Sequence, residues 1–175
     1  MNTMLKQIHE RKSVRHFRPD KVNIQDLQEI VRAGMAAPTA RNMQAWEFLI
    51  LDDEKLLKKL ADALPYAKML ANVNAAIVVL GDASVKSPSG HTYWLQDTCA
   101  ATQNILLAVE ALKLGAVWTA LYPYDERMQP VIDACQIPEH LIPLNIIPIG
   151  VPTGEDSSKD KYKPEKIHVN QWKKQ

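Results

Sequence analysis

The stretch from Tyr93 to Leu114, "YWLQDTCAATQNILLAVEALKL", constrains the fold more than any other part of the chain. It reads as one helix on the order of 33 Å long, with Gly115 as its stop. Cys99, Ala100, Ala101, Ile105, Leu106, Leu107, Ala108, Val109, Ala111 and Leu112 leave it little polar face. A helix that is apolar nearly all round is buried on more than one side. One domain of 175 residues can hardly surround it, so part of it is expected in a subunit interface.

The elements around it follow from periodicity. Residues 3–12 read as a short amphipathic helix with Met4, Leu5 and Ile8 on one side. Asn23 is placed to cap a second helix, whose buried stripe is Leu27, Ile30, Val31, Gly34 and Met35; Pro38 stops it. "WEFLIL" (Trp46 to Leu51) reads as a strand and "DDEKLLKKLADAL" (Asp52 to Leu64) as an amphipathic helix. "AAIVVL" (Ala75 to Leu80) is apolar throughout, as in a strand covered on both faces. "AVWTAL" (Ala116 to Leu121) and "LIPLNIIPIG" (Leu141 to Gly150) read as further strands, with a helix from Asp125 to Cys135 between them. Pro143 and Pro148 predict bulges or strand ends there. "HVNQW" (His168 to Trp172) is the one late strand expected. Strands separated by helices give a mixed α/β or α+β layered domain with a sheet of about four or five strands.

Charge is distributed unevenly. Residues 1–21 and residues 159–175 each carry six Lys/Arg against two Asp/Glu, whereas residues 22–158 carry nine against sixteen. The regional charges of +4, −7 and +4 return the net charge of +1. A nucleic-acid protein more often spreads positive charge over one face. Two short basic segments on an acidic body suit a compact anion, provided folding brings them together. No apolar run approaches the ~20 residues of a membrane span, and no signal-peptide pattern opens the chain. Cys99 and Cys135 are too few for a disulfide framework, so a reducing cytoplasm is the expected location. The five histidines lack metal-ligand spacing, and phosphate loops, GxGxxG, HExxH and CxxC are absent from the sequence.

Two segments carry the chemistry. In "ERKSVRHFRPDKV" (Glu10 to Val22), Arg11, Ser13 and Arg15 alternate, so an extended backbone points all three one way and Val14 the other. Two guanidinium forks and a hydroxyl on one side form an oxyanion receptor. In "APTARNMQAWEFLI" (Ala37 to Ile50), Thr39, Asn42 and Gln44 fall in a loop between helix and strand. There they either hydrogen-bond polyol or heteroaromatic edges or satisfy loop backbone.

In chain order, "RKSVRHF", "APTARNMQAWEF", the apolar helix leading into "LGAVW", and "IIPIGVP" followed by "KDKYKP" resemble the FMN-dependent nitroreductase family over nearly the whole chain. The resemblance implies an α+β, three-layer α/β/α fold with a central, mostly antiparallel sheet. It also implies a homodimer holding FMN at its interface and a C-terminal extension crossing to the partner subunit. By family pattern Arg11 binds the FMN phosphate with Lys161 and Lys163, while Ser13 and Arg15 face the ribityl chain and the flavin N1/O2 edge. Lys12 falls within the same cofactor-binding motif. Pro38, Thr39, Asn42 and Gln44 come from the partner chain, and the backbone at Thr119 and Ala120 approaches flavin N5. The implied activity is ping-pong transfer of electrons from NAD(P)H to a nitroaromatic, quinone or related small-molecule acceptor. A flavin carrier without turnover, or another flavin chemistry such as reductive dehalogenation, is the alternative. The cofactor carries the chemistry, which fits the scarcity of catalytic motifs. The chain departs from the pattern at Ala45, where Pro is usual, at Thr39, where Ser is common, and at Lys163, where longer members often carry Arg. It is also short for the family, which predicts an open acceptor site with "ASVKSPSG" as a lid.

Overall fold

The computed structural model describes residues 2–172. In chain order its elements are α1 (Thr3–Glu10), β1 (Phe17–Arg18), α2 (Ile24–Met35), β2 (Trp46–Leu51), α3 (Glu54–Ala63), β3 (Ala75–Asp82), α4 (Trp94–Ala111), β4 (Gly115–Ala116), β5 (Thr119–Ala120), α5 (Asp125–Cys135) and β6 (Leu141–Pro152). The sheet runs β1-β6-β3-β2, with β4 and β5 also pairing β6, and every pairing is antiparallel.

Strand β3 is buried at every residue but Asp82, because helices cover both faces of the sheet. Its alternate residues serve two cores, as the period of a strand requires. Ala76, Val78 and Leu80 join Ile146 against Leu57 and Leu60 of α3 and Val131 of α5. Ala75, Ile77 and Val79 join Ile147 and Ile149 against Leu27 and Ile30 of α2 and Ile105 and Val109 of α4. Helix, sheet and helix thus form the three expected layers. Asn23 caps α2, its side-chain oxygen accepting from the Asp26 N–H at 2.7 Å; Asp53 does the same for α3.

Several boundaries differ from the sequence reading. Helix α1 ends at Glu10, and Met35 of the α2 stripe is exposed. Helix α4 ends at Ala111, not at Leu114 with Gly115 as its stop. Lys113 takes φ 59°, its N–H bonds to the Glu110 carbonyl, and the Leu114 N–H bonds to that of Val109. This hydrogen-bond pair is a Schellman closure with lysine in the left-handed position. Gly115 is needed instead for a close approach: a Cβ there would lie 2.6 Å from Cγ1 of Val14.

The strand expected over Ala116 to Leu121 is split. Gly115 and Ala116 pair with Gly150 and Ile149, and Thr119 and Ala120 with Ile146 and Asn145. Ile147 and Pro148 face the gap. Proline has no N–H for the ladder, so Val117 and Trp118 leave it. Near Pro143 the β3–β6 register slips as expected, with Leu144 as the extra residue. "HVNQW" forms no strand; Trp172 is 78% exposed. The "ASVKSPSG" segment closes on itself through Ser87 N–H to His91 O and Gly90 N–H to Ser87 O.

Helix α1 has no buried residue, and Met4, Leu5 and Ile8 are 68%, 50% and 43% exposed. On α4, Leu95 is exposed and Cys99, Ala100, Leu107 and Ala108 only half-buried, and Leu112 just after it is exposed. Among the described residues no helix is long and apolar enough to cross a membrane.

Candidate functional site

Beyond α1 the chain extends, and Val14 turns inward to 1% exposure against Gly115. The Val14 N–H bonds to the Ala116 carbonyl at 2.9 Å. Burying Val14 leaves Ser13 and Arg15 on the opposite side, where the alternation put them. Strand β1 then pairs Phe17 and Arg18 with Pro152 and Val151, which carries the tail back over the head. One carboxylate fastens the two. Oδ2 of Asp156 accepts the N–H groups of Arg15 at 2.9 Å and His16 at 3.2 Å, and lies 3.2 Å from Nδ1 of His16. Partial burial pushes the Asp156 pKa up, but the bonds from Arg15 and His16 and the His16 ring outweigh it, leaving the carboxyl below its ordinary value.

Head and tail enclose a cleft of about 450 Å³, lined by Arg11, Lys12, Ser13 and Arg15 on one side and by Ser157, Ser158, Lys159 and Lys161 on the other. Lys12 is spoken for: its Nζ lies 2.8 Å from Oε1 of Glu110 in the last turn of α4, where an acid opposes the helix dipole. Arg11, Arg15, Lys159 and Lys161 make no ion pair among the described residues. Glu155 and Asp156 are the acids on the wall, and Asp156 already serves two backbone amides. The cleft therefore presents free cations and hydroxyls suited to an oxyanion.

Arg15 also lines a second space of about 450 Å³, together with Pro65, Lys68, Trp118, Thr119, Ala120 and Arg127. The split strand builds its floor. The carbonyl of the bulged Leu144 takes the N–H groups of Leu121 and Tyr122 at 3.0 and 3.1 Å, and Thr119 is buried against Ile146. Among the described residues no acid lines this groove. Lys68 donates to the carbonyls of Ala61 and Asp62 at 2.9 and 3.2 Å, closing the end of α3.

The loop after α2 is rigidly specified. Arg41, Asn42 and Gln44 take φ of 53°, 56° and 52°, a region that non-glycine residues enter only when surroundings over-determine them. The anchor is Asp97 of α4, 2% exposed. It accepts the Thr39 hydroxyl and, at 3.0 Å, the Ala40 N–H. Oγ1 of Thr39 in turn accepts the Gln44 N–H at 2.9 Å, and Nε2 of Gln44 donates to Asn42 at 3.0 Å.

Of the residues singled out by sequence, Arg11, Lys12, Ser13, Arg15 and Lys161 therefore meet in one cleft, and Thr119 and Ala120 share a groove with Arg15. Pro38, Thr39, Asn42 and Gln44 line neither space. Lys163 lies beyond the cleft as an exposed residue before the short 3₁₀ turn Pro164–Lys166. Sequence reasoning missed Asp156, Ser157, Ser158 and Lys159, and also Asp97, Lys68 and Arg127. Of these, Asp97 gave a signal as an acid in a largely apolar helix, and Lys159 as the first residue of "KDKYKP". Burial pushes the thiols of Cys99 and Cys135 above their ordinary pKa, at Cys135 against a smaller opposing pull from Lys59. Neither is prepared as a nucleophile.

Known proteins are similar to this chain in sequence and fold. The model of the Nitroreductase family covers residues 8–151. An Archaeoglobus fulgidus protein named "Putative NADH dehydrogenase/NAD(P)H nitroreductase" is 37% identical, the alignment covering 98% of this chain and 100% of that one. A crystal structure under the same name from Parabacteroides distasonis superposes with a TM-score of 0.92 at 44% identity, over 98% of this chain and 100% of that one. One from Desulfovibrio desulfuricans, described as a "putative nitroreductase in complex with fmn", gives 0.79 at 26% identity over 99% of both chains. By sequence and by fold, this chain belongs to the nitroreductase family.

Proposed function

We propose that the protein is an FMN-dependent NAD(P)H oxidoreductase that reduces nitroaromatics, quinones or related small-molecule acceptors as a cytoplasmic homodimer. The observation that carries this reading is the position of Arg15, which borders both the cationic cleft and the acid-free groove. A phosphate in the first and a planar ring system in the second would describe FMN, and the donors present fit it. Arg11, Ser13 and Lys161 would hold the phosphate through charge-assisted hydrogen bonds. Arg15 would stand where negative charge gathers when the ring is reduced. Thr119 and Ala120 would present backbone toward the ring from the groove floor. When bound, FMN would supply the redox chemistry, accepting a hydride from NAD(P)H and passing two electrons to an acceptor that also takes up two protons.

A second copy would complete the site. The pre-set loop of Pro38, Thr39, Asn42 and Gln44 lines neither the cleft nor the groove of its own protomer, so it is assigned to the cofactor of the other. The exposed apolar residues of α1, Leu95 of α4, Leu112 just after it, and Tyr162 and Trp172 of the tail supply the surface for such an interface. The tail would cross to the partner along it, and Lys163 would reach the phosphate only in that assembly.

The test is spectroscopic. Purified protein should carry the yellow absorption of FMN, bleach with NAD(P)H and recolour with a quinone. Arg11→Ala and Lys161→Ala should each raise the FMN dissociation constant roughly 10- to 100-fold, the effect of one lost charge-assisted bond. Unchanged retention in both variants contradicts the phosphate assignment. Flavin that NAD(P)H does not bleach marks a carrier rather than an enzyme.

A further inference from the structure

We propose that the groove between Trp118 and Arg127 recognises acceptors with a carboxylate on a planar ring, and that Arg127 is the residue selecting them. The inference rests on the oxidoreductase reading above and names its substrate class.

Arg127 stands in the first turn of α5. Its guanidinium carbon lies 3.9 Å from the centroid of the Tyr124 ring and 4.9 Å from that of Tyr66. Two aromatic faces thus fix the cation in place. Its Nε is shielded from solvent and finds no hydrogen-bond partner among the described residues. Asp125 and Glu126 precede it in sequence, yet Arg127 forms no ion pair among the described residues.

Such a group is costly to leave unsatisfied. A buried donor without an acceptor loses its hydration and gains nothing in return. A guanidinium cannot escape by losing its proton. An oxyanion delivered by a ligand would satisfy it, and the planar fork offers two parallel donors for one. The other cations of the groove are committed: Lys68 to the end of α3 and Arg15 to the cofactor. The walls beside Arg127 are Tyr66, Met69, Val117 and Trp118, apolar or aromatic surfaces that favour a flat ring. With the flavin ring in the same groove of about 450 Å³, the space left beside Arg127 suits a molecule of one or two rings.

The experiment compares 4-nitrobenzoate with nitrobenzene on the FMN-loaded protein, for the wild type, Arg127→Met and Arg127→Lys. In Arg127→Met the ratio of kcat/KM for 4-nitrobenzoate to that for nitrobenzene should fall roughly 10- to 100-fold, through KM. Arg127→Lys, which keeps the charge but loses the fork, should fall by less. Benzoate should inhibit the wild type competitively and lose potency in step with that ratio. An unchanged ratio in FMN-loaded Arg127→Met overturns the proposal. So do equal losses on both acceptors accompanied by a shifted flavin midpoint potential, which would assign Arg127 to the cofactor. If Arg127→Met does not fold, Arg127→Lys with an unchanged ratio, or a wild type insensitive to benzoate, overturns it as well. A wild type that binds no FMN defeats the oxidoreductase reading and this inference together. A yellow, NAD(P)H-reducible wild type with an unchanged ratio in the variants defeats this inference alone.

Discussion

Alanine in place of Arg15 is expected to slow reduction of bound FMN by NAD(P)H on the order of 10²- to 10³-fold, with FMN affinity lowered about tenfold or less. The separation follows from how Arg15 is held. Its backbone N–H, not its side chain, bonds Asp156, so the variant keeps the fastening between head and tail. Arg11, Ser13 and Lys161 would remain to bind the phosphate. What disappears is the guanidinium at the junction of cleft and groove, a positive charge that in the proposed complex would lie close to where the reaction places negative charge. Such a charge stabilises the transition state more than the ground state, and its loss appears in rate rather than binding. Stopped-flow absorbance gives the rate and titration gives the affinity. Lost binding with an unchanged rate would remove Arg15 from this role.

Asp97→Ala is expected to destabilise the fold by about 2–4 kcal/mol and to lower the melting temperature by roughly 10 °C. Asp97 is 2% exposed and holds the Thr39 hydroxyl and the Ala40 N–H. Removing it strands both donors under α4. Its larger consequence is for the loop. With Thr39 released, nothing ties the Gln44 amide, and the left-handed backbone at Arg41, Asn42 and Gln44 loses the contact that offsets its strain. FMN affinity should therefore fall with stability, although Asp97 lines neither the cleft nor the groove. Calorimetry of the apo and FMN-loaded variant measures both. Wild-type stability and wild-type FMN affinity together would show that the loop is held by other contacts.

How far the sequence could be read depended on the range of each interaction. Alternation placed Arg11, Ser13 and Arg15 together because it is a property of adjacent residues. Asn23, Leu27 and Ile30 reported α2, and the apolar run over Ala75 to Leu80 reported β3, for the same local reason. Asp156 could not be read in this way, because its partner amides lie 140 and 141 residues away. Nor could the pairing of Lys12 with Glu110 across 98 residues. The split of Ala116 to Leu121 depends on Pro148 standing opposite it, a matter of strand register. The end of α4 was misplaced because Gly115 looked like a cap, whereas lysine took the left-handed position and the glycine made room for Val14. "HVNQW" carries a strand-like composition, but it pairs with none of the described strands.

The central claim is that the two basic ends of the chain form one oxyanion site for a flavin phosphate, and calorimetric titration of the apo-protein with FMN and with riboflavin tests it most directly. Riboflavin keeps the ring and the ribityl chain and lacks only the phosphate. FMN should bind about 100-fold more tightly or better, as two charge-assisted contacts imply, with the difference shrinking as salt screens the partly exposed cations. Equal dissociation constants for the two ligands at low salt would contradict the account.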